Sequence, residues 1–329
     1  MSTMDKNAYD VELEQIKEVV KERRAKRVGL QMPEGLKTAA AAIAASISKE
    51  TGADVILSGN SCYGACDVDE KLGAIVDVLF HFGHSAFFSF SVNEELQKKV
   101  RFIELRSSVD VKPVVEKAKA EIKRDCVGLT ATVQHVHALK EAKMLLARSG
   151  TKAVIGTSRL KYEGQVLGCE FSSANVPCTE ILFIGSGCFH PIGLALYTGK
   201  RIIAADPFTM QVKVFEGEEQ RKKRFAAIAR ALDATSCAIL IGMKSGQCNL
   251  RNAIALRRKA VENGLDAYVI AMDEIGADKL LGFTVDAFVN TACPRLAEDF
   301  THFKTPVLSA EEFEVALGER GWDDLYVWQ

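Results

Sequence analysis

The sequence has no surplus of either charge: 42 lysines and arginines stand against 43 aspartates and glutamates in 329 residues. Without a basic excess there is no electrostatic footprint for nucleic acid, so a small molecule or a protein is the expected partner. The opening stretch, MSTMDKNAYDVELEQIKEVVKERRAKRVGL, lacks the basic and apolar regions of a signal peptide. It reads as a charged amphipathic helix running into a strand, which predicts a cytoplasmic protein. An uninterrupted membrane span is missing as well. One charge-free stretch, ILFIGSGCFHPIGLALYTG from Ile181 to Gly199, has nearly the length of a span, but glycine, serine, histidine and proline break it. Strand, glycine loop and buried helix start account for it better, and no membrane association is expected.

What is present is an ordinary apolar fraction, 48%, and nine cysteines. The length allows two or three domains, each able to bury a core. In a reducing compartment the cysteines are expected as thiols, most of them small buried hydrophobes. Cys126 and Cys237 open apolar strands and read as buried thiols, while Cys178 and Cys248 have no evident partner. NSCYGACD, residues 60–67, sets Cys62 and Cys66 four apart behind an apolar run, as the CxxxCxxC loop of radical S-adenosylmethionine enzymes begins. The third cysteine of such a loop is absent, because Asp69 holds its position.

Short β-branched and apolar runs alternate with helical patterns of roughly ten to eighteen residues, the order of a parallel sheet covered by helices. The class is α/β. RVGLQMPEGLKTAAAAIAASI reads as strand, turn and helix, with DVILSGN and DVLFHFGH as further strands. The rhythm restarts at CVGLTATVQHVHALKEAKMLLARSG, followed by KAVIGTS, GQVLGC, TEILFIGSG and RIIAADPF. It restarts again at CAILIGMKSGQCNLRNAIALRRKAVENG, followed by DAYVIAM, VDAFVNTACP and TPVLS. Each restart lies about one small domain from the last, which predicts three similar α/β domains, at residues 1–107, 108–210 and 211–329, each with a small, mostly parallel sheet. The intervening PFTMQVKVFEGEEQRKKRFAAIARAL carries a charged helix that joins the second to the third.

In such sheets ligand groups gather in loops beyond the carboxyl ends of strands. Three cysteines fall there, one per domain: Cys66 after DVILSGN, Cys169 at the end of QVLGC and Cys293 after VDAFVNTA. Cys293 follows a later strand of its domain than the other two. Thiolates are soft ligands that suit iron–sulfur clusters, zinc and copper(I), and three of them leave the fourth position of a tetrahedral metal or cubane open. At a [4Fe-4S] cluster that leaves one iron for a substrate's amine and carboxylate. Ligands from separate domains have no local signature, so unrelated core cysteines remain the plain alternative.

YGACDVDE, FHFGHS, QVLGCE, KSGQ and NTACPRLAED occur in that order, with LQMPEGL ahead of them. Over nearly the whole chain this resembles the archaeal diphthamide synthase family, the 2-(3-amino-3-carboxypropyl)histidine synthases. The resemblance implies a noncanonical radical enzyme of three α/β domains around a central [4Fe-4S] cluster, with Cys66, Cys169 and Cys293 as ligands. It implies S-adenosylmethionine as substrate, cleaved between sulfur and the methionine γ-carbon. The 3-amino-3-carboxypropyl group then passes to C2 of a histidine in elongation factor 2, and 5′-methylthioadenosine leaves. It also implies an external electron donor and a homodimer, with no catalytic side chain beyond the cluster. Geometry at the open iron then decides which carbon–sulfur bond breaks.

Other residues carry two readings each. His84 of FHFGHS lines the active region in the family, or is a loop histidine bonded to backbone. Lys244 and Gln247 of GMKSGQ hold a cofactor carboxylate, or form an ordinary strand-to-helix turn. Arg295 and Asp299 fix the Cys293 loop, meet substrate, or pair with each other. Glu34 and Gly35 of MPEGL approach the cofactor or merely turn the chain. Cys188 and His190 of SGCFHP are a tempting metal pair, but Cys-x-His alone is more often packing. RRKAVENG and the run from Arg221 to Arg224 read as solvated faces or contacts for elongation factor 2. Two rival functions accompany the synthase: a quinolinate-synthase-like [4Fe-4S] dehydratase, and a non-catalytic metal-binding or electron-transfer subunit.

Overall fold

A computed structural model describes residues 8–86, 94–296, 300 and 303–326. It contains three small, mostly parallel sheets. The first comprises β1 (Arg27–Gln31), β2 (Asp54–Leu57), β3 (Val78–Phe82) and β4 (Val100–Ile103), in the order β2-β1-β3-β4, all parallel. The second comprises β5 (Cys126–Ala131), β6 (Lys152–Ile155), β7 (Glu180–Ile184), β8 (Arg201–Asp206) and β9 (Gln211–Phe215), in the order β6-β5-β7-β8-β9. The third comprises β10 (Ser236–Gly242), β11 (Asp266–Met272), β12 (Ala287–Asn290) and β13 (Val307–Ser309), in the order β11-β10-β12-β13 and wholly parallel. In each sheet the first strand lies between the second and the third, so one topology occurs three times.

The helices, in chain order, are α1 (Leu13–Glu22), α2 (Lys37–Thr51), α3 (Glu70–Ile75), α4 (Glu94–Lys99), α5 (Lys112–Ala118) and α6 (Leu139–Arg148), then α7 (Phe189–Thr198), α8 (Gly217–Ala229), α9 (Leu250–Glu262), α10 (Ala277–Leu280) and α11 (Ala310–Ala316). Among the described residues no helix is long and apolar enough to cross a membrane. The stretch from Ile181 to Gly199 resolves into β7, a glycine loop and the ten-residue α7.

The chain forms two compact units, one of residues 1–110 and 133–137, the other of residues 111–132 and 138–329. In the first, Val28, Leu30, Val78, Phe80 and Phe82 of the sheet pack on Ile16 and Val20 of α1 and Ile43 and Ile47 of α2. Leu79 projects from the opposite face onto Leu72 of α3 and Leu96 of α4. Burial on both faces is why β3 reads as a continuous run, VLFHF, with no alternation. His81 shares the face of Leu79, and the β1–β3 register sets Gln31 opposite it.

In the second unit, Phe171, Ile181, Phe183 and Leu194 fill one face of the second sheet. The third sheet is buried on both sides. Cys237, Ile239 and Ile241 meet Ile228 of α8 and Leu256 of α9, while Leu240 and Phe288 meet Leu280. Burial pushes the Cys237 thiol up to about 11, as expected of an inert core cysteine.

Three local expectations differ from the structure. Cys126 and Cys178 form a disulfide that joins the start of β5 to the segment before β7, so these two are not thiols. The QVKVF segment is not part of a plain linker: β9 pairs antiparallel with β8 and carries the second sheet to Phe215. The basic run on α8 is only half solvated. Lys222 and Lys223 pair with Glu218 and Glu219 at the surface, but Arg224 is buried, donating through Nε (2.8 Å) and Nη2 (2.5 Å) to Glu312 and through Nη2 to the Val307 carbonyl (2.8 Å). Glu312 also closes the capping box of α11 with Ser309 and accepts from the Tyr326 hydroxyl.

Candidate functional site

The carboxyl end of the first sheet gathers the motifs LQMPEGL, NSCYGACD and FHFGHS. Gln31 is the hub. Its Nε2 donates to the Asp67 carbonyl (2.6 Å), and its Oε1 accepts from the Asp69 amide (3.0 Å) and from His81 Nδ1 (2.8 Å). Because an amide oxygen can only accept, His81 carries its proton on Nδ1. Burial, then the neighbouring His84, holds the His81 pKa well below the ordinary histidine value, so the ring is neutral and Nε2 keeps a lone pair. That nitrogen lies 2.9 Å from His84 Nδ1 and 3.8 Å from Cys62 Sγ.

Asp69, standing where a radical-enzyme loop would place its third cysteine, does a different task. Its carboxylate accepts from the Leu72 amide (2.9 Å) as the cap of α3, and from Ser58 Oγ (2.6 Å) and Asn60 Nδ2 (3.0 Å). Burial raises its pKa, but those hydrogen bonds and the charge of Lys71 outweigh it and hold the carboxyl below its usual range. Glu34 begins a 3₁₀ turn and pairs with Lys37 (2.6 Å), whose ammonium also donates to the Gly59 and Asn60 carbonyls (3.1 and 2.9 Å). Gly83, at φ 84°, lets the FHFGHS loop lie against Pro33, which a Cβ there would approach to 2.9 Å. Glu34, His84 and the loop of Cys66 are thus brought to one sheet end. Cys66 is a partly exposed thiol in this loop.

Cys169 and Cys293 belong to the second unit. QVLGC is not the strand expected. Gln165 makes a single parallel bridge to Ala131 at the end of β5, and Leu167 bridges Glu170, so Cys169 sits exposed on a tight turn. Cys293 follows β12. Asn290 shapes its loop, with Nδ2 donating to the Cys293 carbonyl (2.7 Å) and Oδ1 accepting from the Ala292 amide (2.9 Å). The start of α7 links the two loops. The Phe189 ring lies where a Cβ on Gly168 would be, and the Arg295 guanidinium stands 5.6 Å from the centre of that ring. Burial, then the charge of Arg295, lowers His190 to about 4. His190 stacks on Phe183 (5.8 Å) and Cys188 lies 3.9 Å from Lys213 Nζ, contacts of the kind that the packing reading of SGCFHP expects.

Lys244 and Gln247 occupy the loop beyond β10. A Cβ on Gly242 would meet both Gln247 and Ala292, which puts Gln247 beside the residue preceding Cys293. Between them Ser245 has a buried hydroxyl without a hydrogen-bond partner among the described residues. An orphaned donor of that kind is a cost that a ligand can relieve. Asp299 lies outside the described residues. His81, Gln31, Phe189 and Ser245 lie beside these residues and were not singled out in the sequence, while Cys62 was noted there only for its spacing to Cys66. The His-x-x-His spacing of His81 and His84 was the one signal for His81.

The family described as "Putative diphthamide synthesis protein" matches residues 32–327. The chain belongs to that family. The 2-(3-amino-3-carboxypropyl)histidine synthase of Pyrococcus horikoshii is 38% identical over 313 residues, covering 92% of this chain and 90% of the relative. Subunit 1 of the corresponding synthase of Nematostella vectensis is 28% identical over 327 residues, covering 97% of this chain and 69% of the relative. Among solved structures, Dph2 from P. horikoshii with a 4Fe-4S cluster superposes with a TM-score of 0.84 at 35% identity, covering 95% of this chain and 92% of that one. The chain is therefore an enzyme of the 2-(3-amino-3-carboxypropyl)histidine synthase class.

Proposed function

We propose that the protein carries out the first step of diphthamide synthesis, with Cys66, Cys169 and Cys293 as the ligands of a [4Fe-4S] cluster. The observation that carries the reading is the 38% identity to a synthase over nine-tenths of both chains. The donor set fits the cluster: three thiols outside the disulfide, each on a loop, and each of the soft class that such clusters require. When bound, the cluster supplies one electron to the sulfonium of S-adenosylmethionine.

The chain's own residues bind and orient. Ser245, Lys244 and Gln247 offer an orphaned hydroxyl, a cation and an amide to the amino-acid end of S-adenosylmethionine. Arg295, held over Phe189, fixes the Cys293 loop against the turn of Cys169 and places a cation there. Glu34 and His84 border the loop of Cys66 and face the remainder of the substrate. The sulfur to γ-carbon bond is the one cleaved. The 3-amino-3-carboxypropyl group replaces the C2 hydrogen of a histidine of elongation factor 2, which leaves as a proton as the electron is given back, and 5′-methylthioadenosine departs. An external donor delivers the electron, and the enzyme works as a cytoplasmic homodimer of three-domain chains, divided at residues 107 and 210.

Incubating reduced protein with S-adenosylmethionine and elongation factor 2 tests the reaction. The expected nucleoside is 5′-methylthioadenosine, together with modified factor. Recovery of 5′-deoxyadenosine as the main product overturns the bond selectivity, and consumption of neither substrate overturns the synthase reading.

A further inference from the structure

A second metal-binding chemistry sits at the end of the first sheet. Cys62, His81 and His84 bring one sulfur and two nitrogens within 4.8 Å of one another. Two of the separations, 2.9 Å between the histidine nitrogens and 3.8 Å between Cys62 Sγ and His81 Nε2, bracket the edge of a tetrahedron built on a zinc ion. With Zn–N near 2.0–2.1 Å and Zn–S near 2.3 Å, those edges are roughly 3.3–3.6 Å. Shifts of a few tenths of an ångström bring those two edges to tetrahedral length, and the third, from Cys62 to His84, lies within the 4.8 Å that bounds the trio.

The surroundings are built as metal-ligating histidines require. A ligating histidine normally donates its other ring N–H to an oxygen, which fixes ring and tautomer. His81 does so, through Nδ1–H to Gln31 Oε1 at 2.8 Å. Gln31 is itself 1% exposed and pinned by the Asp67 carbonyl and the Asp69 amide, so the bond cannot swing. Phe102 packs on the His81 ring at 5.0 Å. Cys62 is 4% exposed and His81 fully buried, while His84 is partly exposed and opens the trio to one side.

We propose that Cys62, His81 and His84 form a mononuclear site for a borderline-soft divalent cation of the zinc class, with the fourth position open to water or a substrate group. It uses none of the three cysteines assigned to the cluster and stands independently of that assignment. On binding, the Cys62 thiol releases its proton to solvent and the sulfur becomes a thiolate ligand. The His84 proton moves from Nδ1 to Nε2, so Nδ1 can coordinate, and no electron changes hands. Three protein ligands with an open position are the pattern of catalytic zinc, not of a closed structural site.

Cobalt(II) is the probe, added under anaerobic conditions to the full-length Cys66→Ala chain, in which the cluster ligand set is broken. One equivalent should bind, with a thiolate-to-cobalt charge-transfer band and the intense visible bands of a four-coordinate ion. Adding Cys62→Ser, a near-isosteric change, should abolish the charge-transfer band, and His84→Gln should weaken binding. Removing the Gln31 support with Gln31→Leu should weaken it ~10–100-fold. A folded Cys66→Ala chain that takes up no stoichiometric cobalt overturns the proposal. So does a charge-transfer band that survives Cys62→Ser and disappears with Cys169→Ala, because Cys169 would then be the thiolate observed.

Discussion

The two units hold their cysteine loops by different physics. In the first, the loop of Cys62 and Cys66 is bound by directional hydrogen bonds that converge on Gln31 and Asp69. In the second, close packing is added to the Asn290 hydrogen bonds that shape the Cys293 loop: Gly168 against Phe189, Phe189 beneath Arg295, Gly242 against Gln247 and Ala292. Hydrogen-bonded loops tolerate added volume but not lost polar partners, whereas packed loops behave the other way. The same contrast governs their response to acid.

Adding one methyl group separates the two cases most sharply. Gly168→Ala places a Cβ on the Phe189 ring and should cost about 1–3 kcal/mol in chemical denaturation, with a matching loss of bound iron as the turn shifts. The equivalent change in the first unit, Gly64→Ala, brings its Cβ only to 3.4 Å from Cys66 Sγ and should stay within about 0.5 kcal/mol. If the two variants behave alike, the distinction between packed and hydrogen-bonded loops is wrong.

Removing a polar hub should reverse the ranking. Asp69→Ala deletes the cap of α3 and leaves Ser58 and Asn60 without their acceptor, an expected cost of about 1–2 kcal/mol. Because its folded pKa is lowered, Asp69 contributes stability that is present above its unfolded value of about 3.9 and lost as pH falls through the lower folded value. Asp69→Asn should flatten that acid limb of the melting profile. His190 acts higher on the pH scale. Its folded value of about 4 lies below an unfolded value of about 6.5, so the second unit keeps this contribution above pH 6.5 and loses it between there and 4. His190→Phe should recover on the order of 2–4 °C of melting temperature at pH 5 relative to wild type. Arg295→Met should cost about 0.5–1 kcal/mol for the lost cation over Phe189.

Much of the fold was legible because strands buried on both faces announce themselves as apolar runs, and Cys126 and Cys237 open or nearly open theirs, as their runs suggest. The threefold repeat was legible for the same reason. What escaped notice depends on register and pairing. The Cys126–Cys178 disulfide needs β5 and β7 to be neighbours, which no local pattern reveals. β9 was hidden because its short alternating run, QVKVF, leads directly into the charged helix α8 and reads with it as one linking segment. At the candidate site, the loops bearing Cys66, Cys169 and Cys293 could be picked out by their places between strands. Cys62 reads from the sequence as a bystander to Cys66, and its nearness to His81 and His84 was not legible there, because those two come from another strand end. Phe189 and Ser245 gave no sequence signal, since a phenylalanine opening a helix and a serine in a turn are common.

Cys62 and Cys66 lie four residues apart in one loop, yet the account assigns them to different tasks. The iron content of anaerobically prepared protein tests that division most directly. Wild type and Cys62→Ala should each hold about four irons per chain, and Cys66→Ala should hold none in stable form. Iron retained in Cys66→Ala and lost in Cys62→Ala would contradict the assignment.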